Sequence, residues 1–508
     1  MRIWANRVFK EFMRLHMKRV RTYMEHPLET QQTVLAHLLH RAQNTEIGRH
    51  CRFEEIRSWE DFSSRVPIRD YEQFKPFFER MMYGEPDVLW PGRIRFFSKS
   101  SGTTQDKSKF IPVSRENLIH SHLKGTRDTM AFFYDQRPDA RVFWGKSLIM
   151  GGSLAPFPEH PATIRGDISA IMNSHTPFYA RPFLTPDRAT ILMSNFEEKI
   201  ERMAQVLSRE KKLISIGGVP TWTVVLLRRV LEITGKSNLL EVWPNIQAYI
   251  HGGVSFLPYR EQFREFFPSD KFSYQEVYNA SEGYFAARND FDSDDLLLLL
   301  DSNIYYEFLP MEEWEKSDPK AIPLEAVEEG KVYAMIISTN GGLWRYSIGD
   351  TVTFTSVKPY KIKVTGRTRQ FINAFGEELM VENADRALAL TCETMGVVVS
   401  EYTAAPVYFE GSGRGGHQWI VEFIEPPANL EQFADLLDQN LQRLNSDYEA
   451  KRYKGIALER LSIHSAPAGA FLEWMKSRGK FGGQHKVPRL ANHREYVEDL
   501  LRFINANK

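Results

Sequence analysis

The spacing of apolar and polar positions divides this chain into three stretches. The first ninety residues carry helical periodicity, with cap and turn signals such as Ser58 and Pro67. From Arg93 onward, short β-rich runs alternate with amphipathic helices. Ile94–Ser98 reads as a strand that runs into a Ser/Gly/Thr loop, and Ser114 opens a helix with Asn117, Leu118, His122 and Met130 on it. Leu148–Met150 reads as a strand ending in Gly151-Gly152, and Leu213–Ile216 as one ending in Gly217-Gly218 before a helix over Trp222–Ile233. Ala248–Ile250 follows the same plan and ends in Gly252-Gly253. Strand, glycine turn and helix in repetition predict an α/β domain with parallel-rich sheets, whose ligand site lies at the C-terminal strand ends.

The third stretch begins after Gly366. Val397–Tyr402, Pro406–Glu410 and Gln418–Ile424 read as strands, with a loose link over Gly411–Gly416. A long helix is expected from Leu430 to Lys451, a strand over Arg460–His464 and a helix over Phe471–Ser477. That order predicts a smaller α+β module with little βαβ character. The expected domains are 1–365 and 366–508.

Composition narrows the class. With 508 residues the chain exceeds what one core usually serves, and 42% hydrophobic with 13% aromatic residues is ample material for two. Lys+Arg and Asp+Glu both total 65, so the formal charge is 65 − 65 = 0 and no electrostatic footprint for nucleic acid is expected. Cys51 and Cys392 are too few for a disulfide framework or a thiolate metal site. No repeat stands out. The longest apolar run, Leu296–Leu300, is far too short for a membrane span, and the basic residues among Met1–Met24 are not followed by a signal-peptide core. A basic amphipathic helix there can lie on a membrane or dock on its own protein, and docking is the commoner case. A cytoplasmic location is expected.

Five short segments carry chemistry. Ser98-Lys99-Ser100-Ser101-Gly102-Thr103-Thr104, with Lys107 and Lys109 beyond, offers hydroxyls and backbone N–H groups to phosphate oxygens, although a Ser/Thr/Gly stretch is more often an ordinary loop. It lacks the Gly-Lys-Ser/Thr ending of a Walker loop. Tyr278-Asn279-Ala280-Ser281-Glu282-Gly283 sets an aromatic able to stack on a base before a hydroxyl and a carboxylate able to hold Mg²⁺. The plainer alternative is a strand end with a solvated Glu. Gly349-Asp350 can present a carboxylate to both hydroxyls of a ribose, or is a simple turn. Gly366-Arg367-Thr368-Arg369-Gln370-Phe371 lies at the expected boundary. Gly482-Gly483-Gln484-His485-Lys486-Val487-Pro488-Arg489 ends the series with a lysine able to swing onto an α-phosphate, where a lone Lys is otherwise surface charge.

Their order adds meaning. Ser/Thr/Gly loop, Gly252-Gly253, Tyr-x-x-Ser-Glu, Gly-Asp, Gly-Arg and a late Lys together resemble the adenylate-forming superfamily. The segments Ser100–Thr104, Tyr278–Tyr284, Tyr346–Asp350 and Ser477–Arg489 are similar to one branch of it, the acyl-acid-amido synthetases. The resemblance covers roughly residues 90–490. It implies a large N-terminal domain that binds ATP and a carboxylic acid, and a small C-terminal domain that turns between two half-reactions with an amino acid as acceptor. It further implies that Ser100, Ser101, Gly102, Thr103 and Thr104 hold the leaving phosphates. Tyr278 would stack on adenine, with Gly252 and Gly253 permitting close approach. Ser281 would join the nucleotide site, Glu282 would bind Mg²⁺, Asp350 would hold the ribose and Arg367 would reach ribose or phosphate. Lys486 would bridge the carboxylate and the α-phosphate. Two residues depart from the pattern. Arg369 stands where an Asp or Lys hinge is usual, which moves the expected pivot by a few residues. Ser347 stands where the branch carries Arg, which leaves Arg345 as the candidate substitute. A CoA ligase and a catalytically silent nucleotide-binding homologue share most of these features, and retention of both Glu282 and Lys486 argues against silence. No residue pattern names the acid, the amino acid or the oligomeric state.

Overall fold

The computed structural model describes residues 2–101, 108–178, 180–193, 195–253, 256, 259–314, 316, 318–367, 371–409, 414–453, 457–478 and 487–506. By its internal contacts the chain forms two compact units. One comprises Met1–Ser100, Phe110–Gly253 and Phe263–Thr368; the other comprises Ser101–Lys109, Val254–Gln262 and Arg369–Lys508.

The first unit opens with helices at Arg2–Glu25, Pro27–Ala42, Glu46–His50, Trp59–Arg65 and Tyr71–Met82. Ser58 caps the fourth, accepting from the Asp61 N–H, and Asp70 with Gln73 forms a capping box on the fifth. The Arg2–Glu25 helix docks on its own protein through buried Met13, Met17, Val20 and Tyr23, while Val8, Phe12 and Leu15 stay exposed. Arg7, Arg14, Lys18, Arg19 and Arg21 thus occupy the wet side of a helix whose other side joins the core.

Among the described residues sixteen strands follow: β1 Phe96–Ser101, β2 Ser108–Val113, β3 Lys146–Ile149, β4 Leu154–Phe157, β5 His160–Gly166, β6 Leu184–Thr185, β7 Leu213–Gly217, β8 Ala248–His251, β9 Ser273–Asn279, β10 Tyr284–Ala287, β11 Leu296–Leu298, β12 Ile304–Pro310, β13 Ile322–Pro323, β14 Val332–Thr339, β15 Tyr346–Val357 and β16 Tyr360–Arg367. Four make a small sheet in the order β2-β1-β5-β4, and the other twelve make one sheet, β13-β12-β14-β15-β16-β11-β10-β9-β8-β7-β3-β6. Strands β6, β3, β7, β8 and β9 are parallel, as the strand, glycine and helix pattern predicts. From β9 to β13 every pairing is antiparallel, and this half has no counterpart in the sequence reading. The helix Pro220–Thr234 crosses between β7 and β8, starting on its proline and ending at Gly235 in the left-handed conformation. Trp90, Phe97, Phe132, Phe285, Leu298, Tyr306 and Trp344 lie in the main core.

In the second unit, the hairpin β17 (Phe371–Ile372) and β18 (Leu379–Met380) leads to the helix Val381–Met395. A three-stranded sheet follows, β19 (Val398–Tyr408), β20 (Gly415–Glu425) and β21 (Ser462–Ala466). Here the sequence reading needs three corrections. The strands expected at Val397–Tyr402 and Pro406–Glu410 are one, because β19 pairs with β20 from Val398 to Tyr408 and tolerates Pro406 within the ladder. The single helix expected over Leu430–Lys451 is two, Leu430–Leu444 and Ser446–Arg452. Asn445 breaks it with an extended backbone and caps the second piece, its Oδ1 accepting from the Asp447 and Tyr448 N–H groups. Finally, β20 and β21 are parallel across those helices, so the module contains one βαβ crossover.

Candidate active site

The hairpin of β9 and β10 is the centre of the site. Its legs pair Asn279 with Tyr284, and Ala280 N–H donates to the Gly283 carbonyl, so Ala280–Gly283 is a tight turn that carries Ser281 and Glu282 at its tip. Glu282 is half-buried there. A side chain at Gly283 would run into Ile304, which explains glycine at the last turn position.

Two contacts bring separate motifs onto this hairpin. The Ser98 hydroxyl, within β1, donates to Ser281 Oγ at 2.9 Å, and Ser281 donates onward to the Lys99 carbonyl at 3.3 Å. Ser100 and Ser101 follow on β1, while Gly102, Thr103, Thr104 and Lys107 lie outside the described residues. On the other side, Tyr278 donates its phenolic O–H to Asp350 Oδ2 at 2.6 Å. The Tyr278 ring meets Phe285 edge-on, with centroids 4.9 Å apart. Asp350 follows Gly349, whose φ of 85° only glycine adopts freely, and it is the register partner of Arg367 on β16. Tyr278, Ser281, Glu282, Asp350 and the Ser100 strand end therefore converge, with Arg367 one strand away from Asp350.

Gly252 and Gly253 close β8 beside this group. A Cβ at Gly252 would overlap the Val277 carbonyl oxygen, so this glycine lets β8 approach the backbone of β9 just before Tyr278. Gly253 has φ of 85°. The equivalent turn after β3 is held by Lys199, which donates to the carbonyls of Gly151 and Gly152; burial pulls its pKa down to about 8.

Arg345 is not available to a ligand. Its guanidinium is buried, donates to both carboxylate oxygens of Glu307 and bonds the Ser63 and Val66 carbonyls, each at 2.8 Å. The expectation that it replaces the arginine absent at Ser347 is overturned: a fully committed buried charge cannot also reach a substrate. Lys486 lies outside the described residues, as do Thr368, Arg369 and Gln370. The residues flanking the lysine segment are secured on their own unit. Arg489 pairs with Asp385 and Glu401, and Arg478 lies over Trp474 and Tyr496.

The sequence reading missed Ser121 and His122. Tyr284 N–H donates to Ser121 Oγ at 3.1 Å, and His122 Nδ1 lies 3.0 Å from Asn279 Oδ1. The pair grips both legs of the hairpin, and nothing in a helical repeat distinguishes such residues from core. On the same helix, Phe133 is buried in the core and Met130 packs against it. Among the described residues no group of three or more His, Cys, Asp or Glu is placed to hold a metal ion, and no helix is long and apolar enough to cross a membrane.

Comparison with known proteins agrees with this geometry. The profile of the GH3 family N-terminal domain matches residues 16–272, that of the GH3 family central domain 297–367 and that of the GH3 family C-terminal domain 382–495. The chain belongs to the GH3 family. Among curated relatives, indole-3-acetic acid-amido synthetase GH3.3 of Arabidopsis thaliana is 22% identical over 92% of this chain and 90% of its own length. The 4-substituted benzoates-glutamate ligase GH3.12 of the same plant is 22% identical over 84% of this chain and 87% of its own. Among solved structures, the acyl acid amido synthetase AtGH3.15 in complex with 2,4-DB superposes with a TM-score of 0.62 at 16% identity, covering 97% of this chain and 96% of that one. The 2-hydroxyisobutyryl-CoA ligase in its thioesterification state superposes at 0.55 and 15% identity, covering 94% and 92%. These likenesses show that this GH3 chain has the fold of adenylate-forming ligases.

Proposed function

We propose that this GH3 protein activates a carboxylic acid with ATP and transfers the acyl group to the amine of an amino acid. The observation that carries the proposal is that one hairpin, with Ser281 and Glu282 at its tip, is bonded by Ser98 on one side and, through Tyr278, by Asp350 on the other. Named relatives with this domain set are amido synthetases and ligases of acids with amino acids.

In the first half-reaction a carboxylate oxygen attacks the α-phosphorus, the bond to the β-phosphate oxygen breaks, and pyrophosphate leaves. Two anions meet in this step, so positioning and charge neutralisation supply most of the acceleration. Ser100 to Thr104 are assigned to the leaving phosphates by their motif. Tyr278 and Asp350 suit the adenosine, and Arg367, the register partner of Asp350 on the next strand, is assigned to ribose or phosphate by its motif. Glu282, a single half-buried carboxylate at a turn tip, fits a Mg²⁺ whose remaining ligands are phosphate oxygens and water. Bound there, the ion would offset phosphate charge. Lys486 is assigned to the carboxylate and α-phosphate by its motif. In the second half-reaction the amine attacks the acyl carbonyl, the bond to AMP breaks, and the nitrogen gives up a proton.

A CoA ligase is the second reading, favoured by the fold it shares with the 2-hydroxyisobutyryl-CoA ligase. ATP–pyrophosphate exchange across a panel of carboxylic acids tests the first step. Supplying the best acid with a mixture of amino acids and, separately, with CoA tests the second by product mass. An N-acyl amino acid with AMP is expected; a thioester formed at much higher kcat/KM makes the protein a CoA ligase.

A further inference from the structure

The Arg2–Glu25 helix has one more apolar face than its docking needs. Met13, Met17 and Val20 bury against the protein, and Asn6 joins them, its Nδ2 donating to the Ala140 carbonyl at 3.3 Å. Val8, Phe12 and Leu15, spaced by four and three residues, share a different face and are 48%, 48% and 54% exposed. A helix that served only to dock would keep such residues on its buried side.

Charge is laid out beside that stripe. Arg7, Arg14, Lys18 and Arg21 recur at helical spacing along its edge, and all four are exposed. Arg14 pairs with Glu11 and Arg21 with Asp135, both on the surface, where such pairs hold their partners weakly. Arg7 and Lys18 lie outside these pairs. The helix holds seven Arg and Lys against two Glu, 7 − 2 = +5, in a chain whose formal charge is 0, so the remainder carries −5. Positive charge is thus concentrated where the spare apolar stripe lies.

We infer that the Arg2–Glu25 helix is a membrane-docking element that seats this protein on an anionic lipid surface. Charge complementarity selects that occupant: Val8, Phe12 and Leu15 enter the acyl boundary while the basic residues beside them meet lipid phosphates and carboxylates. Nucleic acid would neutralise the basic residues and leave the apolar stripe wet. A second copy would cover the apolar stripe but bring an identical basic stripe against it. The helix lies in the plane of the surface, fastened to the protein by Met13, Met17 and Val20, and no described helix is long and apolar enough to cross a membrane. Three apolar side chains bury little area, so the association is reversible and depends on the basic stripe.

Co-sedimentation of the full chain with vesicles tests this, using phosphatidylcholine alone and phosphatidylcholine mixed with phosphatidylserine. The mixed vesicles are expected to bind it at least about fivefold more tightly. Raising the ionic strength to ~1 M, where the Debye length is only ~3 Å, should release it. Two double variants divide the face. Phe12→Ser with Leu15→Ser removes apolar surface, and Arg7→Glu with Lys18→Glu reverses two charges. Each should weaken binding to the mixed vesicles by about tenfold or more, with Tm unchanged because all four positions are exposed. If a double variant fails to fold, Leu15→Ser or Lys18→Glu alone replaces it, with a loss of about threefold expected. No binding to the mixed vesicles, or equal binding by the wild type and every variant, overturns the inference. Dimers in sedimentation equilibrium that the Phe12 and Leu15 variant dissolves, without vesicle binding, would assign the face to a second copy. Duplex DNA retained where vesicles are not would assign it to nucleic acid, and either result overturns the lipid assignment.

Discussion

Tyr278 and Asp350 stand 72 residues apart and meet through one hydrogen bond of 2.6 Å. Each was legible as a motif residue, but their contact was not, because no local pattern links β9 to β15. The bond orients the carboxylate proposed to hold the ribose. Tyr278→Phe keeps the ring and removes the donor, so ATP affinity should fall about fivefold, the value of roughly 1 kcal/mol for one such bond. Calorimetric titration checks this, and an unchanged Kd would reduce the phenol to packing. Arg345 shows the opposite failure: its charge looks the same in sequence whether it serves a ligand or Glu307, and only the fold decides. His122 makes a pH prediction. Its pKa falls from 6.5 to about 4 on folding, so the fold prefers the neutral ring. The stability this contributes is present above the unfolded pKa and is lost as pH falls through the range from 6.5 to 4. Relative to H122N, the wild type should lose on the order of 3 kcal/mol across that window in denaturant titrations. Parallel pH curves for the two proteins would contradict the assignment.

At the level of elements, glycine and cap signals were the reliable ones. The turns after β3, β7 and β8, the Ser58 and Ser114 caps and the parallel strands between them stand where the pattern puts them. The antiparallel half of the large sheet was illegible for a physical reason. Strands such as β12 and β14 are buried along nearly their whole length, so they show no alternation of apolar and polar residues. The break at Asn445 was hidden because apolar spacing continues through it, from Leu437 and Leu441 to Tyr448. Asn445 also donates from Nδ2 to the Glu378 carbonyl, tying the helix junction to the β17–β18 hairpin region. Asn445→Ala should therefore cost at least the ~1 kcal/mol of a lost cap, and more because a partly buried carbonyl loses its donor. Thermal unfolding measures it, and a Tm within a degree of the wild type would mean that water replaces all three bonds.

For the whole molecule, the proposal places the nucleotide residues Tyr278, Ser281, Glu282 and Asp350 in one compact unit and Lys486 in the sequence of the other. Lys486→Ala is therefore expected to cut acyl-AMP formation by about a hundredfold or more while the equilibrium Kd for ATP changes by only a few fold, since the lost cation acts on charge that develops in the transition state. Loss of ATP affinity with exchange intact would show that Lys486 has another role. What the sequence determined by itself is the chemistry: the order of hydroxyl, aromatic, carboxylate and lysine segments, the glycine turns that end the parallel strands, and membership of the GH3 family. These are local properties, since a turn, a cap or a phosphate loop depends on a few adjacent residues. Only the tertiary structure decided which side chains meet. It joined Ser98 to Ser281 and Tyr278 to Asp350, committed Arg345 to Glu307, and set His122 Nδ1 against the Asn279 side-chain oxygen. Those pairings, the last of them from His122 Nδ1 to Asn279 Oδ1, bring together residues far apart in sequence, and their energies come from burial and hydrogen-bond geometry, quantities that exist only once the sheets have formed.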